Sequence, residues 1–217
     1  LLRRPGHFEH LERLLLLARL QKFEALEAEN VHLRGLLGAA AHVADRALVA
    51  ELVEVSLEPF SQQIMLDRGT ADGVYRGQPV IDADGIMGQV SRVTPVNAVV
   101  TLITDPAHAI PVQVVRSGLR GVAYGAGDGA TLDLRFMAAN ADVLNGDVLV
   151  TSGIDGTYPP GIPVARVARI ERDAAYAFAK IACVPAAGTD RHGQVLVLGK
   201  DANLSAAPDA EPAPARP

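Results

Sequence analysis

The stretch IMLDRGTADGVYRGQPVI, Ile64 to Ile81, decides how this chain is read. It sets two aspartates and three glycines between apolar runs. Either Asp67 and Asp72 are the paired carboxylates of an acid/base site, or they are turn formers in a small β-barrel. A catalytic carboxylate pair has to share one site. Asp67 and Asp72 stand at opposite ends of a single turn, and nothing forces them to converge. Asp72-Gly73 supplies a position that tolerates positive φ, Gly69 and Gly77 permit further tight bends, and Asp84-Gly85 closes a hairpin between QPVID and IMGQV. Arg68 is then a solvated neighbour. A calcium loop fails as well, because Gly69 and Ala71 fall where oxygen ligands belong. The stretch reads as turn chemistry.

Working outward, short Val/Ile/Leu-rich runs separated by Gly, Pro and Asp continue from Leu48, with apolar residues recurring at a period near two. The expected strands of a first set are Leu48–Val55, Gln63–Leu66, Pro79–Asp82, Ile86–Val93 and Ala98–Ile103. A second set comprises Ile110–Val115, Gly121–Tyr124, Thr131–Phe136, Asp147–Thr151, Pro163–Ile170, Ala177–Val184 and Gln194–Leu198. No helical stretch intervenes, which excludes βαβ units. The chain is 49% hydrophobic but only 4% aromatic, with no Trp, so its cores must be aliphatic. About a dozen short strands suit two small barrels better than one. The strand order stays open, since the last strand can return to the first barrel and make the second an insertion. The expected segments are a helix over 7–44, a first barrel over 45–108 plus about 185–200, a second over 109–184, and a disordered Pro/Ala-rich tail over 201–217.

Ahead of the strands, the period is helical. Leu16, Phe23, Asn30 and Leu37 fit one core position of a heptad, and Leu26 and Leu33 the other, while Arg19 breaks the pattern. A short coiled coil is one reading, with Asn30 setting a two-stranded register. An amphipathic helix packed on the chain's own domain is the other.

Charge and motifs exclude several functions. A net charge of −5 gives no basic footprint for nucleic acid. The single cysteine, Cys183 in AKIACV, permits no intrachain disulfide and reads as a small core residue. GAGDG, Gly125 to Gly129, lacks the Lys-Ser/Thr ending and following helix of a phosphate loop. GLRG, Gly118 to Gly121, lacks the flanking helices of a KH domain. Asp105, His108 and Ser152 are the one set of triad candidates, but no nucleophile motif surrounds the serine. His7, His10, His32, His42 and His192 form no metal-spaced cluster. No metal, cofactor or catalytic residue is therefore assigned. Tyr75 and Tyr158, near glycine turns, are picked as partner contacts by residue type. No run approaches the roughly 20 apolar residues of a membrane span, and because the chain starts at Leu1, a signal or anchor upstream is expected.

An ordered series of stretches resembles the rod-shape-determining MreC family. It runs LEAENVHLRGLL, IMLDRGTADGVYRGQPVIDADGIMGQV, VVTLITDPAHAIPVQV, RSGLRGVAYGAG, GDVLVTSGIDGTYPPGIPVARV and YAFAKIACVPAAGTDRHGQVLVL, covering Phe23 to Leu198. The resemblance implies a single-pass inner-membrane protein whose coiled coil and two six-stranded barrels lie in the periplasm. The barrels would be paired as in chymotrypsin, without its catalytic residues. It further implies a scaffold of the cell-elongation machinery that self-associates and works with MreB, MreD and RodA. On the same resemblance it binds the elongation-specific penicillin-binding transpeptidase and favours its active form. The chain departs from the family in the Pro/Ala-rich tail after Leu198 and in Arg19 within the seam. A trypsin-like hydrolase and a cell-wall ligand-binding module are the alternatives.

Overall fold

The computed structural model describes residues 19–26, 28–36, 38, 47–58, 61–172, 177–188 and 193–199. Within them the period-two pattern becomes twelve strands. Strands β1 (Ala47–Glu58), β2 (Ser61–Leu66), β3 (Pro79–Ile81), β4 (Ile86–Val93) and β5 (Ala98–Leu102) join β12 (Gln194–Leu198) in a closed barrel ordered β1-β12-β3-β4-β5-β2. Strands β6 (Ala109–Val114), β7 (Arg120–Gly125), β8 (Leu132–Arg135), β9 (Val148–Thr151), β10 (Pro163–Glu171) and β11 (Lys180–Pro185) close a second barrel in the order β10-β11-β8-β7-β6-β9. The ladders within both barrels are antiparallel. The chain is thus mainly β, two six-stranded barrels with a helix ahead of them. Closure satisfies every strand edge without a partner chain.

Each barrel is filled by aliphatic side chains. Ile64, Leu66, Val80, Val90, Val100, Val195 and Val197 pack inside the first. The interior of the second is continuous with the seam between the barrels, where Ile81, Ile86, Ile103, Leu196 and Leu198 face outward from the first. Strand β12 is therefore buried on both faces, which explains why QVLVL lacks the polar alternation of its neighbours.

Two glycines matter for the close approach of the barrels. A Cβ at Gly85 would overlap the carbonyl of Pro163, and one at Gly125 the carbonyls of Thr104 and Asp105. Gly85 is absent from the positive-φ glycines, so it is required for space rather than for a turn. The hairpin it was expected to shape is held by Asp82, whose Oδ1 accepts the N–H groups of Asp84 and Gly85 at 2.7 and 2.8 Å.

Helix α1, described over 19–26 and 28–36, docks by its last turn. Leu36 is buried in the seam cluster, and His32 Nε2 donates to the carbonyl of Gln194 at 3.0 Å. Further back, Leu20, Phe23, Leu26 and Val31 are all more than half exposed.

Candidate interaction surface

The opening stretch carries no acid/base pair. Asp67 Oδ1 accepts the Glu51 N–H at 2.7 Å and its Oδ2 pairs with Arg68. Asp72 instead accepts the Gly69 N–H at 3.0 Å, and Gly73 follows with φ 87°. The triad candidates are likewise separately engaged. His108 Nε2 lies 3.0 Å from the Tyr158 hydroxyl. Asp105 accepts the backbone N–H groups of Gln62 and Ala107, both at 2.8 Å. The Ser152 hydroxyl is buried with no hydrogen-bond partner among the described residues. Asp128, in the GAGDG loop, accepts from Ala130 and Thr131 within its own turn. Burial pushes the Cys183 thiol up to about 12, leaving it un-ionised. Among the described residues no group of three His, Cys, Asp or Glu side chains is placed to hold a metal.

The heptad residues are only partly in view. Phe23, Leu26 and Asn30 lie on the surface, Leu33 is half-buried, and Leu16 and Leu37 fall outside the described residues. The residues that fasten the helix to the barrel, His32 and Leu36, belong to neither heptad position. Tyr75 is 41% exposed. Tyr158 is 3% exposed, so its selection as a surface contact is corrected: the ring is spent on packing against His108.

The feature that sequence reading missed lies on the second barrel. The chain has only nine aromatic residues, five Phe and four Tyr, and three of them meet at one spot. Phe136 stands edge to face with both Tyr124 and Phe178, at centroid distances of 6.4 and 6.0 Å. The Arg135 guanidinium caps the Tyr124 ring at 4.7 Å. Two backbone ties, Ala139 N–H to the Ala177 carbonyl and Ala179 N–H to the Met137 carbonyl, hold the two phenylalanine segments side by side. Phe136 and Phe178 are nevertheless 69% and 53% exposed. They line a groove of about 760 Å³ over β8, β10 and β11, with Leu134 and Ile181 in its lining. Four of its charged rim residues pair with one another, Arg169 with Glu171 at 2.9 Å and Arg135 with Asp133 at 3.6 Å, and Lys180 adds a further positive charge.

Strand alternation puts Phe136 in phase with the buried Leu132 and Leu134. The strand stops one residue earlier, and Phe136 turns outward with φ 62°, the one non-glycine residue with positive φ among those described. That conformation costs an L-residue with a bulky side chain about 1–2 kcal/mol. A strained backbone that exposes a large apolar ring makes this the candidate surface for contact.

Fold and surface together define a class: a double-barrel β protein that presents an aromatic platform on its second barrel. Residues 52–199 match the family of the rod shape-determining protein MreC, barrel core. The chain belongs to that family. It is 41% identical over 176 residues to the cell shape-determining protein MreC of Escherichia coli K12, an alignment covering 81% of this chain and 48% of the relative. The chain spans about half the length of the curated relatives it matches. The crystal structure of MreC from Pseudomonas aeruginosa superposes with a TM-score of 0.69 at 48% identity, over 71% of this chain and all of the other. A complex between penicillin-binding protein PBP2 and MreC from Helicobacter pylori shares the fold at a TM-score of 0.54 and 18% identity, over 72% of this chain and all of the other. Among the described residues no helix is long and apolar enough to cross a membrane.

Proposed function

We propose that this chain is a non-enzymatic scaffold of the cell-elongation machinery, working on the periplasmic face of the inner membrane. It binds the elongation-specific penicillin-binding transpeptidase and favours its active form. Family membership supports the cell-shape role, and the Helicobacter pylori relative was solved in complex with a penicillin-binding protein. The observation that carries the reading is Phe136, held outward at positive φ beside Phe178 over an open groove. Aromatic side chains clustered in a desolvatable pocket are what dominates binding energy at protein interfaces. Tyr75, on the first barrel, is a second contact.

Self-association belongs to the same reading. The seam of Phe23, Leu26, Asn30 and Leu33, continued by Leu16 and Leu37, pairs two helices, and its exposed apolar residues support this. The barrels, arranged as in chymotrypsin-type hydrolases, then serve contact rather than cleavage. MreB, MreD and RodA are further partners by family resemblance, and a membrane anchor precedes the domain limits given above.

Sedimentation of the chain with the soluble ectodomain of the transpeptidase tests the proposal. The expected result is a mixed complex that Phe178→Asp abolishes. Independent sedimentation of the two parent proteins at concentrations of about 100 μM, where a pair of micromolar Kd is almost fully formed, would refute it.

A further inference from the structure

The chain passes from the first barrel to the second through residues 103–108, and that passage is fastened on both sides. Toward the first barrel, Asp105 holds the Gln62 N–H at 2.8 Å. Toward the second, Gly127 N–H donates to the Thr104 carbonyl at 3.1 Å and Gly125 N–H to the His108 carbonyl at 3.3 Å. One more tie reaches the connection between β9 and β10, residues 152–162. His108 Nε2 lies 3.0 Å from the Tyr158 hydroxyl, with the two rings edge to face at 6.5 Å. That connection is rich in turns, with Gly153, Gly156 and Gly161 all at positive φ. Its ends are tied to the second barrel, by Ser152 N–H to the Pro111 carbonyl at 3.1 Å, Gly161 N–H to the Thr151 carbonyl at 2.9 Å and Ile162 N–H to Thr151 Oγ1 at 3.0 Å, so the stretch that can open locally is the one around Tyr158.

We propose that His108 is an acid-weakened pin: neutral, it fastens the middle of the 152–162 connection to the passage between the barrels, and protonated it holds that stretch less firmly.

The chemistry follows from the donor and acceptor inventory. The pin takes the Nδ1–H tautomer, in which the neutral ring's Nε2 accepts the phenolic proton of Tyr158. Protonation removes that lone pair and makes Nε2 a donor. Nε2–H can then only donate to the phenol oxygen, a reversed bond that leaves the Tyr158 O–H without an acceptor, for the hydroxyl makes no other hydrogen bond among the described residues. A buried donor left unmade costs about 1–3 kcal/mol. The cation must also be housed where His108 is only 9% exposed.

The groups facing the ring are Asp105 from the passage itself, and Tyr158 with Asp155 beside it from the β9–β10 connection. Burial holds the His108 ring below its ordinary 6.5, and the Asp105 charge opposes this without overcoming it. Burial raises the Tyr158 phenol, so it stays a donor throughout. With the folded value depressed, the pinned state is fully favoured above 6.5 and loses stability as pH falls from there toward the folded value. One proton limits the loosening to about tenfold per pH unit.

Hydrogen–deuterium exchange of the whole chain at about pH 7.5 and about pH 5, on either side of the ordinary histidine range and corrected for intrinsic rates, reads the pin directly. Amides within 152–162 should lose protection several-fold at the lower pH. In His108→Gln, whose amide can bond Tyr158 at either pH, their protection should stay level. Tyr158→Phe, which removes only the hydroxyl, should loosen the connection at both values. Equal protection of the parent at the two pH values overturns the proposal. So does a His108→Gln chain that loosens as the parent does, or a Tyr158→Phe chain as well protected as the parent at neutral pH.

Discussion

Replacing Phe136 with glycine should separate binding from stability. Glycine adopts φ 62° without strain, so the substitution recovers the roughly 1–2 kcal/mol that an L-residue loses there. Against this stand the backbone entropy of glycine, about 0.5–1 kcal/mol, and two edge-to-face contacts at roughly 0.5 kcal/mol each in so exposed a setting. Little apolar burial is lost, because the ring is 69% exposed. The opposing effects nearly cancel, and the expected change in unfolding free energy is within about 1 kcal/mol of zero. Leu134→Ala, two residues earlier at 1% exposure, provides the contrast and should cost about 2–5 kcal/mol. For the partner, loss of a central aromatic anchor costs at least about 2 kcal/mol, roughly a thirtyfold rise in Kd. Urea unfolding and titration calorimetry against the transpeptidase ectodomain give the two numbers. A Phe136→Gly chain that binds with parental affinity, or that is destabilised as much as Leu134→Ala, would show the reasoning to be wrong.

Other expectations are briefer. Phe23→Asp combined with Leu26→Asp should abolish concentration-dependent association in sedimentation while leaving the melting temperature of the barrels unchanged, since both side chains are more than half exposed. Gly125→Ala drives a Cβ into two backbone carbonyls at the barrel junction and should lower stability by about 1–3 kcal/mol in urea unfolding. Cys183, buried and with its thiol pushed up to about 12, should resist iodoacetamide at mildly alkaline pH until the chain is unfolded.

The barrels were legible because each strand carries its own period. TLDLR shows Leu132 and Leu134 on one side and Asp133 and Arg135 on the other, whatever the neighbouring strands do. Turn chemistry was legible for the same reason at Asp72-Gly73, where cap and left-handed residue are adjacent. At Asp84-Gly85 the hairpin forms as the dipeptide indicates, but the carboxylate that holds it comes from Asp82, and Gly85 also answers to the distant Pro163 carbonyl, which no local pattern records. The aromatic platform was illegible on the same grounds. Phe136 continues the inward phase of β8 by count, and only its backbone torsion turns it out to meet Tyr124 of β7 and Phe178 just ahead of β11. Tyr158 failed in the opposite sense, since a tyrosine among glycines and prolines gives no sign of the histidine that buries it. In the helix, the heptad marked the exposed residues, whereas docking falls to His32 and Leu36, whose partners lie in β12 and the seam.

Strand β12 closes the first barrel by pairing Leu198 with Ala47 and Val197 with Val80. During synthesis the first five strands therefore emerge as an open sheet, with β1 and β3 lacking their shared neighbour, until the entire second barrel has followed. Pairing so distant in sequence is slow to form. The barrel encoded first is the one finished last, and a ribosome stalled or a protease acting just before Gln194 would leave the earlier barrel open and bare the seam that Leu196 and Leu198 cover on the later one.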